Sequence, residues 1–127
     1  MYSAISFVTD ELAERSKSVS HGDLLLTLTG ESKEEIGKSV AFMGCGKTVI
    51  GGDLATFTNH KQNPMYLSYF MNSPYAIRQK TFLGTGDIIV HISCDKLSSI
   101  LIPLPPIVEQ CRIVERLERL LTIANNL

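Results

Sequence analysis

The sequence has no excess of charge of either sign. Twelve Lys and Arg stand against 13 Asp and Glu, for a formal net charge of −1. No overall positive field therefore marks nucleic acid as a partner. A local basic groove remains open, because binding depends on where charge lies. Cysteine is scarce. Cys45, Cys94 and Cys111 are odd in number and lack C-x-x-C spacing, so neither a disulfide framework nor a zinc site is implied. Reduced, partly buried thiols are the expectation. No stretch approaches the roughly 18 apolar residues of a membrane span. Met1-Tyr2-Ser3-Ala4-Ile5 has neither a basic flank nor a long apolar run, which argues against a signal peptide. A cytoplasmic location with no membrane partner is expected. His21, His60 and His91 have no metal-type spacing and read as turn or surface residues. There is no nucleophile elbow and no H-E-x-x-H, and the acids are scattered. No active site is legible, so the sequence predicts neither an enzyme nor a cofactor or metal.

What is present is a globular composition. With 127 residues, 44% hydrophobic and 20% charged, the chain can bury a core and form one domain, or one domain with an appendage. Ile5–Val8 suits a short strand. Residues 9–17 place acids early and bases late, as a short helix favours. His21-Gly22-Asp23 is a turn, and Leu24–Thr29 is a strand apolar enough to be buried on both faces. A polar loop from Gly30 to Gly37 leads to a strand over Lys38–Met43. Asp53–Thr58 alternates as a third strand. Asn63-Pro64 and Ser73-Pro74 each pair a capping residue with proline at the first helical position, so two short helices follow. Ile88–Ile92 and Ile100–Ile102 look extended, with a single turn capped by Ser93 between them. Strands and helices interleave irregularly. The predicted class is α+β, a mixed sheet with short helices plus a projecting C-terminal helix.

One motif suggests different chemistry. Residues 41–48, ending in Gly46-Lys47-Thr48, match a permissive phosphate-binding loop with alanine replacing the first glycine. That mechanism needs a helix whose first amides cradle phosphate, and Val49-Ile50-Gly51-Gly52 is a poor helix start. No later strand ends in an acid suited to Mg²⁺. A small nucleotide-binding protein stays as a minor alternative to a Gly-rich turn.

The sharpest structural signal is Ile102-Pro103-Leu104-Pro105-Pro106-Ile107-Val108-Glu109-Gln110. Residues before proline are pushed toward extended geometry, and proline suits only the first helical turn. A helix from Pro105 to Leu127 would be about 34 Å long. Ile107, Val114, Leu117, Leu121 and Ala124 follow a heptad-like seam, widened by Cys111, Ile113, Leu120 and Leu127. Such a stripe must be covered, by its own domain or by a partner helix in a coiled coil or bundle; the partner is the expectation. The loops carry Lys33, Lys38, Lys47, Lys61, Arg78 and Lys80 among Thr29, Ser32, Thr58, Asn59, Gln79 and Thr85. These can hold phosphates and reach base edges, although a solvated surface would look the same.

Three segments together resemble the specificity subunit of type I restriction–modification enzymes. Gly22-Asp23-Leu24-Leu25-Leu26-Thr27, with Thr29-Gly30 and Gly37-Lys38-Ser39-Val40-Ala41, is similar to its strand–loop–strand. Asn63-Pro64, Tyr66-Leu67, Tyr69-Phe70 and Ser73-Pro74 are similar to its helical segment. His91-Ile92-Ser93 through Ile100, then Ile102 to Pro106 with Glu109-Gln110 and Ile113, resembles the end of its target recognition domain and the start of its conserved helix. The resemblance implies two recognition domains per full subunit, separated by long helices that dock methylation subunits. It implies DNA reading without chemistry, methyl transfer and ATP-driven cleavage belonging to the partners. Here it covers one such domain, without roughly the first half, and a helix that ends at Leu127. The expected division is a partial recognition domain over 1–104 and a helix over 105–127. Double-stranded DNA, methylation and restriction subunits, and a second copy through the helix are the expected partners. The expected DNA-side residues are Thr29, Lys33, Lys38, Lys47, Lys61, Lys80 and Thr85; Lys38, at the base of a strand, has a structural alternative. A competing reading keeps the helix as an interaction module for restriction–modification subunits and drops DNA reading.

Overall fold

The computed structural model describes residues 7–127. The strand expected at Ile5–Val8 falls partly outside the described residues, and Phe7 and Val8 carry no regular structure. Helix α1 (Asp10–Arg15) is capped by Thr9, whose Oγ1 accepts from the Leu12 amide at 3.3 Å. Asp10 and Glu11 occupy its first turn and Arg15 its last, matching the helix dipole.

Among the described residues three small sheets follow, and every pairing is antiparallel. The central one has the order β4 (Ser39–Ala41), β2 (Leu24–Thr27), β6 (Leu54–Phe57). Leu24 faces Ala41 on one side and Phe57 on the other. Leu24 and Leu26 are buried while Leu25 and Thr27 are half-buried, so β2 alternates rather than burying both faces. A second pair joins β1 (Lys17–Val19) to β5 (Thr48–Ile50). The third joins β3 (Thr29–Gly30) to β7 (Val90–His91). Neither β1 nor β5 is announced by the sequence. Each has three residues and is stabilised by a partner about thirty positions away rather than by its own pattern. The strand at residues 48–50 also removes the nucleotide-binding alternative, because no helix follows Gly46-Lys47 to present amides to a phosphate. Among the described residues the expected strand at Ile100–Ile102 has no ladder: Ile100 is buried and its amide bonds back to Leu97.

Helices α2 (Pro64–Met71), α3 (Pro74–Leu83) and α4 (Cys94–Ser98) start where the sequence predicts. Asn63, Ser73 and Ser93 cap them through their side chains. Leu67 and Met71 of α2 close over Leu24, Leu26 and Ala55 to form the core, with Ala76, Ile100 and Val114. The outer edge of β4, covered by α2, is held by polar groups as well. Asn72 Oδ1 accepts from the Ser39 amide and its Nδ2 donates to the Ser39 carbonyl, both at 2.9 Å. A side-chain amide thus takes the place of a neighbouring strand. A smaller apolar cluster of Ile36, Val90 and Ile92 lies beneath the 31–37 loop.

The proline junction has a clear physical origin. Helix α5 (Ile107–Asn125) has Pro106 at its N-cap, which offers no side-chain cap. Gln110 supplies the fastening instead and has no exposed surface. Its Oε1 accepts from the Asn63 amide at 3.0 Å, and its Nε2 donates to Gln62 Oε1 and the Pro105 carbonyl, each at 2.8 Å. Tyr66 Oη donates to the Pro103 carbonyl at 2.7 Å. One glutamine and one tyrosine therefore lock the start of α5 to the start of α2. All three cysteines are free and exposed, not partly buried as their usual statistics suggest.

Candidate nucleic-acid interface

Strand register assigns each candidate to one end of the central sheet. One end, where β2 starts and β4 and β6 finish, carries the turns at 20–23 and 42–47 and the loop at 58–62. Histidines fasten these loops together. His60 Nε2 lies 2.8 Å from the Gly22 carbonyl and His21 Nδ1 lies 3.2 Å from the Gly44 carbonyl. The His60 ring also packs against Phe57, with centroids 5.3 Å apart. Asn59 and Lys61, on either side of His60, both have positive φ (54° and 56°). A lysine there is strained, and the His60 contacts hold it in place. Lys47 and Lys61 are exposed at this end.

The other end carries Thr29, Lys33, Lys38 and Thr85. Thr29 pairs with His91 in the β3–β7 ladder, and Thr85 forms a bridge to the same His91, with N···O distances of 3.0 and 2.8 Å. Thr29 and Thr85 are therefore brought together across one histidine. Lys33 sits on the 31–37 loop, and its carbonyl accepts from Thr81 Oγ1 of α3 at 3.3 Å. The Lys38 amide donates to Thr27 Oγ1 at 3.1 Å, which fixes its backbone, while its side chain is exposed. So Lys38 is anchored structurally without losing its ammonium to the interior.

Lys80 requires a correction. Its side chain is 1% exposed, and its Nζ donates to the carbonyls of Gly37 (2.8 Å) and Met71 (2.6 Å). Burial pushes its pKa down to about 8. An ammonium enclosed this way cannot also meet a phosphate. Among the described residues both ion pairs lie on α5, Glu109 with Arg112 and Glu115 with Arg119. The ammonium groups of Lys33, Lys38, Lys47 and Lys61 are thus not neutralised by a carboxylate. His60, which fastens a loop through its ring, and His91, whose backbone lies between Thr29 and Thr85, read in the sequence only as turn or surface residues. Only their neighbourhood in the fold singles them out. A mostly apolar groove of about 420 Å³, lined by Leu24, Leu26, Phe57, Ile100, Ile102 and Leu104 with Thr56 and Ser98, lies along β2 and β6 and has no lysine or arginine in its lining. Among the described residues no group of acids, histidines and cysteines could hold a metal, and no helix is long and apolar enough to cross a membrane.

The α5 seam divides along its length. Val114 is buried against the domain's own core, which corrects its assignment to a partner-facing seam. It follows Gln110 by one turn, so the fastening that locks the helix start also turns Val114 inward. Ile113 is half-buried on the same core. Ile107 and Leu121 are exposed by 45% and 47%, Ala124 is exposed, and Leu117 is half-buried. From Glu118 to Leu127 every residue is exposed, so the second half of α5 projects from the domain.

Residues 15–127 match the family described as the type I restriction modification DNA specificity domain. The chain is also 28% identical over 116 residues to the type I restriction enzyme StySPI specificity subunit of Salmonella potsdam. That alignment takes in 91% of this chain and 25% of the relative, so the chain spans about a quarter of that protein's length. The family match takes in the β2–loop–β4 unit, the two proline-started helices and the glutamine-locked junction, and by it the chain belongs to the type I restriction modification DNA specificity domain family.

Proposed function

We propose that the chain reads double-stranded DNA sequence-specifically, without chemistry of its own, as a partial or half specificity subunit of a type I restriction–modification complex. The observation that carries this reading is the family match over residues 15–127. The geometry adds a surface: Thr29, Lys33, Lys38 and Thr85 share one end of the sheet, where threonine hydroxyls can reach base edges beside unpaired ammonium groups. Lys47 and Lys61, at the other end, are suited to flanking phosphates. Methylation and restriction subunits would bind the complex, and the projecting half of α5 would meet a partner helix, from a methylation subunit or a second copy, through Leu117, Leu121 and Ala124.

The test is duplex binding across a salt series. Removing one lysine that meets a phosphate should flatten the slope of log K against log salt by about 0.9. Lys33→Ala and Lys47→Ala should each do so. No duplex binding, while α5 still captures a methylation subunit, supports the interaction-module reading instead.

A further inference from the structure

The 31–37 loop, which carries Lys33, is tethered at nearly every turn. Gly37 N–H donates to the Thr27 carbonyl at 2.7 Å, and Glu31 N–H to Glu35 Oε2 at 3.2 Å. Ile36 is fully buried among Val90, Ile92 and their neighbours. The last tether is unusual. Lys80 reaches from α3, lays its stem over Gly37, and donates from Nζ to the Gly37 carbonyl and to Met71 at the end of α2. A Cβ added at Gly37 would sit 2.6 Å from Lys80 Cδ, and Gly37 has φ +65°. Only glycine fits under this lysine.

A buried ammonium is an expensive way to fill space. No carboxylate pairs with it among the described residues, and burial alone shifts its pKa. A methionine would fill a similar volume at less desolvation cost. What the lysine adds is direction: one cation joins a loop carbonyl to the negative end of α2. Thr81, next in sequence, holds the Lys33 carbonyl from the same helix. Adjacent residues of α3 thus grip both ends of the segment that presents Lys33.

We propose that Lys80 is a positioning residue for the DNA surface: by clamping Gly37 to α2 and α3 it preforms the 31–37 loop, so that Lys33 meets its phosphate without a loop-ordering cost. This rests on the DNA-reading proposal above. A preformed loop binds more tightly because its ordering is completed on folding.

The experiment compares the unsubstituted full chain with Lys80→Met, Lys33→Ala and the double variant. The probe is a labelled duplex pool, titrated across salt. Hydrogen exchange of amides 31–37 is read beside that of β2. Lys80→Met should speed exchange in the loop and leave β2 protected. It should weaken duplex binding about tenfold and flatten the salt slope by about 0.9. Adding Lys33→Ala should then cost little more, because the two residues act as one unit. Duplex binding with an unchanged slope in Lys80→Met, or additive effects in the double variant, overturns the inference alone. Absence of salt-dependent duplex binding by the unsubstituted chain overturns the DNA reading and this inference with it. If Lys80→Met fails to fold, Lys80→Gln, which keeps an N–H donor on a shorter stem, is read for the same exchange, slope and coupling.

Discussion

Gln110 shows how much a single polar side chain can decide. It is fully buried and satisfies Asn63, Gln62 and Pro105 together. Gln110→Ala leaves the Asn63 amide and the Pro105 carbonyl without their partner. It should cost about 2–4 kcal/mol, read as a lower urea midpoint. Gly37→Ala meets both a positive φ and the Lys80 stem and should destabilise by more than about 1 kcal/mol. Lys80 itself gives a pH prediction. Its folded pKa of about 8 lies below the ordinary 10.5. Between these values the unfolded chain holds a proton that the folded chain has released, so stability rises with pH through that window. The burial penalty is fully present below pH 8. Tyr66 acts in the opposite sense, since burial raises its pKa above 10 and stability falls as it ionises in the unfolded chain. Urea unfolding from about pH 7 to about pH 9.5 should therefore show a rise that Lys80→Met flattens. The burial of Lys80 had one legible sign. Ala76, Lys80 and Leu83, spaced four and three apart, share a helix face that packs inward. Its neighbours Arg78 and Gln79 hid that sign by making the segment read as solvated.

At the scale of elements, caps were the most legible feature. Asn63-Pro64, Ser73-Pro74 and Ser93 mark helix starts through local chemistry, and local chemistry is what a sequence displays. The short strands β1 and β5 were not legible, because their stability lies in a distant partner. The C-terminal helix was legible as an amphipathic element but not in how its stripe is shared. Its first turns face α2, and its last stand free. This division predicts opposite behaviour along one helix. Val114→Ala should cost about 1–2 kcal/mol of stability through reduced burial. Leu121→Glu should leave the unfolding midpoint within about 0.5 kcal/mol, as for exposed positions generally. It should instead weaken any association made through α5, measured by sedimentation or by co-purification with a methylation subunit. Equal destabilisation by both substitutions would mean that the projecting half packs on the domain after all.

Across the whole molecule, a net charge of −1 conceals local order. Glu31, Glu34 and Glu35 crowd the 31–35 segment and α5 balances three glutamates with three arginines, while Lys47 and Lys61 mark one end of the sheet and Lys33 and Lys38 the other. The α+β class and the order of the larger elements follow from periodicity and punctuation. The pairing of Thr29 with Thr85 through His91 does not, because it joins segments about sixty residues apart. Sequence motifs pointed to the family, and the fold then separated the lysines free to meet a phosphate from the one that is not. The central question is whether this chain reads DNA sequence. Selection of bound duplexes from a randomised pool, at physiological salt with the purified full chain, tests that directly. Enrichment of one short motif, weakened by Lys33→Ala and by added salt, is the predicted result. Recovery of the pool without enrichment, from a folded chain, would contradict it.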